Sequence, residues 1–290
     1  MKCTLCPRQC HAIRAENTAN GFCKMPTDIY ISRIAPHFWE EPVISGANGT
    51  AAVFFTGCTL SCIYCQNSEI SNENLGIKMN ETKIADKINT LLKNGCHTLS
   101  FITATHYIFA VKKIIELINP TVPVVYNTSG YETVEAIKSL DGYIDIYLPD
   151  FKYTDNHLGK LYSGVDNYFE ITSSAVDEML KQTGKPKIGS DGILQRGTVI
   201  RNLVLPNHTK NSIEVINYLS EKYGDRIIFS LMGQYIPHYK AINHPKLGRK
   251  ITMREYNKVL TAFENSKLDG FCQELTSADD KYIPDWYNSH

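Results

Sequence analysis

The sequence predicts an α/β fold with a mostly parallel sheet, and two patterns carry that prediction. From about residue 50, six short apolar stretches alternate with segments whose apolar residues recur at helical spacing. Stretches such as VPVVY and RIIF are apolar almost throughout, as expected for strands covered on both faces. This alternation indicates right-handed βαβ units, and therefore a doubly wound sheet or a partial or full (β/α) barrel.

The predicted elements follow one another along the chain. The strands are AAVFF, TLSFIT, VPVVYN, YIDIYLPDF, TVIRNLVLP and RIIFSLMG. The helices are ETKIADKINTLLKNG, YIFAVKKIIELIN, ETVEAIKSL, NYFEITSSAVDEMLKQTG, NSIEVINYLSEKYG and TMREYNKVLTAFENS. Asn80 can cap the first of these helices, and Gly95 can end it. In both architectures the functional site lies at the carboxyl ends of the strands.

Composition narrows the possible partners. The 290 residues are 43% apolar and 21% charged, which suits a globular protein with a substantial core. Thirty basic residues balance thirty acidic ones, so no net field favours nucleic acid or an anionic membrane. The chain shows neither the apolar run of a signal peptide nor a stretch long enough to span a bilayer. We therefore expect a cytoplasmic protein with no nucleic-acid or membrane partner.

Nine cysteines in such a chain are more typical of metal ligands or catalysts than of disulfides. Seven of them lie in two motifs, whereas Cys96 and Cys272 stand alone and are predicted to be small buried apolar residues. The first 45 residues hold four cysteines and little periodicity. We expect an N-terminal cysteine-rich metal-binding lobe over residues 1–45 and a (β/α) domain over residues 46–290.

The N-terminal motif has the spacing C-x2-C-x3-C-x12-C. Its members are Cys3, Cys6, Cys10 and Cys23. Four thiolates complete a tetrahedral zinc site or hold a closed iron–sulfur cluster. A lobe with so small a core usually needs such a staple. A structural metal is favoured, and zinc and an auxiliary [4Fe–4S] cluster both remain open.

The second motif, GCTLSCIYCQN, follows directly on the first predicted strand of the alternating region. Cys58, Cys62 and Cys65 have the spacing C-x3-C-x2-C. Three thiolates suit a centre with one open coordination position, either a [4Fe–4S] cluster with one free iron or a catalytic zinc.

This spacing, with Tyr64 just before the last cysteine, resembles the radical S-adenosylmethionine (SAM) superfamily. The resemblance implies that Cys58, Cys62 and Cys65 hold three irons of a [4Fe–4S] cluster while SAM chelates the fourth. It further implies that an electron from the cluster cleaves SAM to a 5′-deoxyadenosyl radical, which takes a hydrogen atom from the substrate. An anaerobic oxidoreductase with an electron donor such as flavodoxin or ferredoxin is the expectation.

A wider resemblance covers almost the entire chain. The segments ITATHYIFAV, VVYNTSGYE, DIYLPDFKY, VIRNLVLPN and SLMGQYIPHYKA, with the opening C-x2-CPR-x-C, look like the radical SAM proteins related to pyruvate formate-lyase activating enzyme. This family implies a partial (β/α)6 barrel of the radical SAM type, with SAM laid across the strand ends.

Carried over by position, the resemblance implies that SAM contacts polar residues at successive strand ends. These are Tyr64 near the adenine, Thr103, Thr105 and His106 after the second strand, Asn127 and Ser129 after the third, Asp150 and Lys152 after the fourth, Arg201 on the fifth and Gln234 after the sixth. Each has a structural alternative: a packed ring for Tyr64, a solvated ion pair for Asp150 and Lys152, and a core hydrogen bond for His106.

Three functions are weighed. An activating enzyme for a glycyl-radical protein usually shows Cys-x-Asn-Pro after the last cysteine and Gly-Pro-Gly before the first strand, but this chain has CQNSEIS and SGANGT. These departures favour a radical SAM enzyme with an unidentified small-molecule or peptide substrate. A noncatalytic iron–sulfur or zinc scaffold is the third possibility, and the complete cysteine trio argues against it.

Overall fold

The computed structural model describes residues 2–275, 278 and 286. Its strands, in chain order, are β1 (Arg14–Ala15), β2 (Thr18–Ala19), β3 (Tyr30–His37), β4 (Thr50–Phe55), β5 (Ile77–Lys78), β6 (Thr98–Ile102), β7 (Val124–Thr128), β8 (Ile146–Pro149), β9 (Lys187–Ile188), β10 (Leu194–Leu203), β11 (Ile228–Met232) and β12 (Asp269–Cys272).

The α-helices lie between and after these strands. They are α1 (Pro42–Ser45), α2 (Ser68–Ser71), α3 (Glu81–Lys93), α4 (Ile108–Ile118), α5 (Val134–Lys138), α6 (Asn156–Ser163), α7 (Tyr168–Thr183), α8 (Thr209–Lys222) and α9 (Met253–Glu264). None of the helices described in this structure is both long and apolar enough to cross a membrane.

The sheet confirms the predicted α/β class. Strands β4, β6, β7, β8, β10 and β11 lie side by side in chain order, each parallel to the next. Strand β12 adds a parallel edge, whereas β3 runs antiparallel to β4 and pairs in turn with β5. Over the described residues the sheet does not close, so the fold is a partial (β/α) barrel.

The predicted helices form where the sequence places them. Helix α3 begins after Asn80, whose side chain accepts a hydrogen bond from the backbone N–H of Lys83 at 2.9 Å. It ends at Lys93, and Gly95 follows with a left-handed φ of 93°. Sequence analysis did not identify β3 or α6, and both of them contribute to the site.

Alternate residues of the strands face two different cores. Tyr126 and Tyr147 pack with the surrounding helices, while their neighbours Val125 and Ile146 pack on the inner face of the barrel. The inner cluster also contains Ile44 of α1, whose backbone carbonyl accepts a hydrogen bond from the Thr98 hydroxyl at 3.1 Å. Helix α1 therefore fills the interior of the barrel as a plug.

The described strands and helices bear on the boundary that we expected at residue 45. Because β3 belongs to the main sheet and α1 lies inside it, we propose that the separate cysteine lobe is limited to residues 2–29. Arg14 attaches that lobe to the barrel, since its Nη1 donates to the carbonyl of His106 at 2.7 Å. Cys96 is buried as predicted, but the prediction for Cys272 is wrong, because it lies exposed on the edge strand β12.

The plug yields a stability prediction. Ile44 is 0% exposed in the inner core, so Ile44→Ala should lower the free energy of unfolding by about 2–5 kcal/mol. Ile242 is 55% exposed, and Ile242→Ala should change that free energy by less than about 0.5 kcal/mol. Urea unfolding of both variants measures the difference, and equal losses would contradict the plug.

Candidate active site

A cavity of about 380 Å³ opens at the carboxyl ends of the parallel strands. One wall is the loop that follows β4, which carries Cys58, Cys62 and Cys65. Other walls come from the ends of β6, β7, β8, β10 and β11 and from the segment before α1. The three cysteines and polar groups from five strand ends thus meet in one space, as the parallel fold requires.

Helix α6 holds the cysteine loop by its backbone. The carbonyl of Ser163 accepts from the N–H of Ser61 at 3.2 Å, and the carbonyl of Tyr162 accepts from the N–H of Ile63 at 2.9 Å. The Ser163 hydroxyl lies 3.0 Å from the Cys62 sulfur. These contacts join loops about a hundred residues apart in sequence and fix the cysteines against the cavity.

The chemistry of the three thiols fits a metal cluster. All three are free cysteines that line the cavity. Burial raises the pKa of Cys58 to about 12 and that of Cys65 to about 11, and burial also raises the pKa of Cys62. They are therefore protonated thiols at neutral pH, and a metal must displace their protons on binding. Within the described residues no group of three or more His, Cys, Asp or Glu side chains is arranged to hold a single metal ion.

A buried network of charges lies beside the cysteines. The Arg201 guanidinium donates from Nε to Asp150 at 2.9 Å, from Nη1 to Glu40 at 3.1 Å and from Nη2 to Asn127 at 2.8 Å. Lys152 donates to the second oxygen of Asp150 at 2.6 Å. The alternative for Asp150 and Lys152 was a solvated ion pair at the protein surface. In the structure this ion pair is largely buried, and it belongs to a network of charged side chains.

The network determines the charge of its members. Burial raises the pKa of Asp150, but Lys152 and Arg201 outweigh burial and hold it below its usual range. Burial lowers the pKa of Lys152, but the charge of Asp150 outweighs it and raises the pKa well above its usual value. Both groups stay charged at neutral pH, so Lys152 offers a fixed positive charge to the cavity.

Two carboxylates of the cavity were missed by sequence analysis. Glu40 and Glu41 lie between β3 and α1, in a stretch without a recognisable motif. Glu40 accepts from Arg201 and, at 2.7 Å, from Asn127. No sequence signal points to them, because their partners come from strands far along the chain.

Most of the sequence-predicted cofactor residues line the cavity. These are Tyr64, Thr103, Asn127, Ser129, Asp150, Lys152, Arg201 and Gln234. Thr103 has a φ of 58°, in the left-handed region that β-branched residues rarely adopt. Its N–H donates to the carbonyl of Asn127 at 3.0 Å, so the strained turn is tied to the next strand. Backbone strain of this kind is often found where backbone groups bind a ligand.

Thr105 and His106 do not line the cavity. The Thr105 hydroxyl donates to the buried Glu132 at 2.6 Å. His106 Nε2 lies 2.7 Å from the carbonyl of Thr56, just before the cysteine loop, and burial lowers the pKa of the ring to about 4. A neutral ring can donate from Nε2 to that carbonyl. His106 thus stabilises the cysteine loop without lining the cavity. This is the core hydrogen bond that we gave as its structural alternative.

Tyr64 is held by other aromatic side chains. Its hydroxyl lies 2.5 Å from that of Tyr153, which is itself 3.0 Å from the Ser163 hydroxyl. Its ring meets Tyr235 edge-on at 6.1 Å. Tyr64 is therefore a rigid part of the cavity wall, on which a planar group can pack.

The four N-terminal cysteines are free thiols in the lobe. Burial raises the pKa of Cys6 to about 12 and also raises that of Cys23. Arg8, two residues after Cys6, donates from Nε to the carbonyl of Thr59 at 2.7 Å. Thr59 follows Cys58, so Arg8 connects the two cysteine motifs directly.

The comparisons with known proteins agree with this fold. The radical SAM superfamily model matches residues 52–217, and the chain belongs to that superfamily. An uncharacterized protein of Methanocaldococcus jannaschii is 31% identical over 276 residues, which cover 92% of this chain and 75% of that one.

Solved structures show the same fold at low sequence identity. A radical SAM methyltransferase from Sphaerobacter thermophilus matches with a TM-score of 0.55 at 10% identity, over 77% of this chain and 66% of that one. SuiB of Streptococcus suis, solved with S-adenosylmethionine, matches with a TM-score of 0.50 at 14% identity, over 77% of this chain and 50% of that one. This chain therefore spans one half to two thirds of these proteins.

Glu132 provides a prediction on pH. Burial raises its pKa from 4.5 to about 7, although hydroxyls of Thr105, Thr128 and Tyr126 act in the opposite direction. The folded state then binds this proton more tightly than the unfolded state does. The penalty for ionising Glu132 begins above the unfolded pKa and is complete above pH 7, where it reaches about 3 kcal/mol.

Glu132→Gln should therefore become more stable relative to the native protein as the pH rises from 5 to 8. Urea unfolding at both pH values measures this change, with Glu135→Gln, exposed on α5, as the control. An unfolding free-energy difference that is the same at pH 5 and pH 8 would show that Glu132 is not a neutral buried carboxyl.

Proposed function

We propose that this protein is a radical SAM enzyme in which Cys58, Cys62 and Cys65 hold a [4Fe–4S] cluster and SAM occupies the cavity beside them. The observation that carries the proposal is that three free thiols and the polar ends of five parallel strands line the same cavity. When bound, the cluster supplies the electron that cleaves the sulfonium of SAM, and SAM supplies the radical that abstracts hydrogen.

The residues of the chain bind and orient the cofactor. Lys152, held by Asp150, offers its ammonium to the carboxylate of SAM, and the strained turn at Thr103 offers backbone groups to the methionine amino group. Tyr64 packs beside the adenine. Asn127, Ser129 and Gln234 offer polar groups to the rest of the molecule, while Arg201 supports them through Asn127 and Asp150.

Apolar residues complete the cavity and exclude water. These are Phe54, Leu60, Ile102, Leu203 and Met232. A dry cavity protects a reactive intermediate from side reactions. The proposed substrate is a small molecule or peptide, and a protein substrate of the activating-enzyme kind is the alternative. A reduced flavodoxin or ferredoxin is the proposed electron donor. We further propose that a metal, either zinc or an auxiliary cluster, stabilises the N-terminal lobe. Its ligands would be Cys3, Cys6, Cys10 and Cys23.

Cleavage of SAM tests this function. After anaerobic reconstitution with iron and sulfide and reduction by dithionite, the native protein should convert SAM to 5′-deoxyadenosine and methionine. Cys58→Ala should lose this conversion and the cluster's absorbance, because one iron loses its thiolate. Cys96→Ala should keep both, since Cys96 is buried away from the cavity.

Liquid chromatography of the nucleoside product and visible absorbance give the two readouts. Equal 5′-deoxyadenosine from the native protein and from Cys58→Ala would contradict the proposal. A native protein that binds no iron would contradict it as well, and would favour a scaffold.

A further inference from the structure

Glu41 is a buried carboxyl in the cavity, and it forms no ion pair with another residue in the described part of the chain. Its residue is 8% exposed and it lines the cavity just before α1. Its Oε2 is buried and has no hydrogen-bond partner among the described residues. A buried polar atom of this kind costs free energy unless a ligand satisfies it.

The other charges of the cavity balance one another. Among the described residues that line the cavity, Glu40 and Asp150 are the two remaining carboxylates, and Arg201 and Lys152 are the two cations bonded to them. Within this part of the chain Glu41 is therefore a third carboxyl without a bonded cation, apart from the more distant charge of Arg201.

His37, the histidine among the described lining residues, does not supply the missing charge. Burial, with the charges of Arg33 and Arg201, lowers the pKa of His37 to about 4, so its ring is neutral at neutral pH. Burial likewise raises the pKa of Glu41. A carboxyl in this state ionises when a cation is placed beside it.

We propose that Glu41 binds an ammonium group carried on an apolar chain of the substrate. The apolar lining residues Phe54 and Met232 suit the chain, and the ring of Trp39, which is 62% exposed and lines the cavity, can cover a cation. This inference rests on the proposed function, because it places the substrate in the cavity assigned to SAM chemistry.

The test uses n-pentylamine and n-pentanol, which have the same apolar chain but differ in charge. Saturation-transfer NMR on the full chain, without cluster or SAM, gives their dissociation constants for native protein, Glu41→Gln and Glu41→Asp. Native protein should bind pentylamine more tightly than pentanol. Glu41→Gln should raise the dissociation constant for pentylamine about tenfold or more. Glu41→Asp, which keeps the charge, should retain part of the binding. Glu135→Gln, on the surface, is the control.

Equal binding of the amine and the alcohol by native protein would overturn the inference. Equal amine binding by native protein and both Glu41 variants would overturn it as well. A separate titration with SAM tests whether Glu41 binds the cofactor and not the substrate. If Glu41→Gln weakens the binding of SAM as much as the binding of pentylamine, Glu41 contacts the cofactor and the inference is wrong. Because the amine is tested without the cluster, this result is independent of whether SAM is cleaved.

A second inference concerns Arg8, and it rests on different contacts. Its Nε donates to the carbonyl of Thr59 in the cysteine loop, and its guanidinium carbon lies 3.5 Å from the centre of the Phe22 ring. Its Nη2 is buried and has no acceptor among the described residues. A positive donor without an acceptor is thus fixed between the two cysteine motifs.

We infer that Arg8 is a positioning residue that donates a hydrogen bond to the cluster held by Cys58, Cys62 and Cys65 and raises its reduction potential. Hydrogen bonds to cluster sulfur and nearby positive charge favour the reduced, more negative state. This second inference also rests on the proposed function. It gives the cysteine lobe a role in reduction, since the lobe places Arg8.

An EPR-monitored redox titration of reconstituted protein tests this role. Arg8→Met should lower the midpoint potential of the cluster, and Arg8→Lys, which keeps the charge, should lower it less. Arg254→Met, on the exposed face of α9, should leave it unchanged. Midpoint potentials of both Arg8 variants that match the native one would overturn the inference. If Arg8→Met binds no cluster, the midpoint potential of Arg8→Lys alone is compared with that of the native protein to test the inference. A native protein without a cluster would count against the proposed function itself.

Discussion

The guanidinium of Arg201 is the constraint on which the site depends. It joins β10 to Asp150 after β8, to Asn127 on β7 and to Glu40 before the plug helix α1. A buried charge is tolerated only when its partners are present with good geometry, and loss of one partner leaves another buried charge unpaired. The network therefore forms only when the strands and the plug are all in place, and the floor of the cavity is fixed together with the fold.

That constraint explains why the cavity is polar and closed on its inner side. The plug fills the inside of the barrel below the strand ends, so the space above it is limited to the strand ends and the cysteine loop. The loop is fixed on its other side by Ser163 of α6 and by the neutral ring of His106. The three thiols thus belong to a rigid wall of the cavity.

Sequence reasoning identified those parts of the site whose signal is local. The six parallel strands follow from apolar runs, and Cys58, Cys62 and Cys65 follow from their spacing. Asp150 and Lys152 are two residues apart at a strand end, where side chains meet in a parallel fold.

The missed parts depend on partners far away in sequence. Glu40 and Arg201 are 161 residues apart, and no periodicity links them. Helix α6 is short, and two of its contacts to the cysteine loop are made by backbone, which any residue provides. Thr105 and His106 follow a strand end, but the turn at Thr103 directs them away from the cavity, and only the backbone conformation shows this.

We propose that SAM binds directly to the open iron of a cluster on Cys58, Cys62 and Cys65. Electron–nuclear double resonance of the reduced, reconstituted protein, mixed with SAM labelled with oxygen-17 in its carboxylate, tests this contact most directly. We predict an oxygen-17 coupling to the cluster in the native protein. A cluster spectrum in which labelled SAM produces no coupling would contradict it.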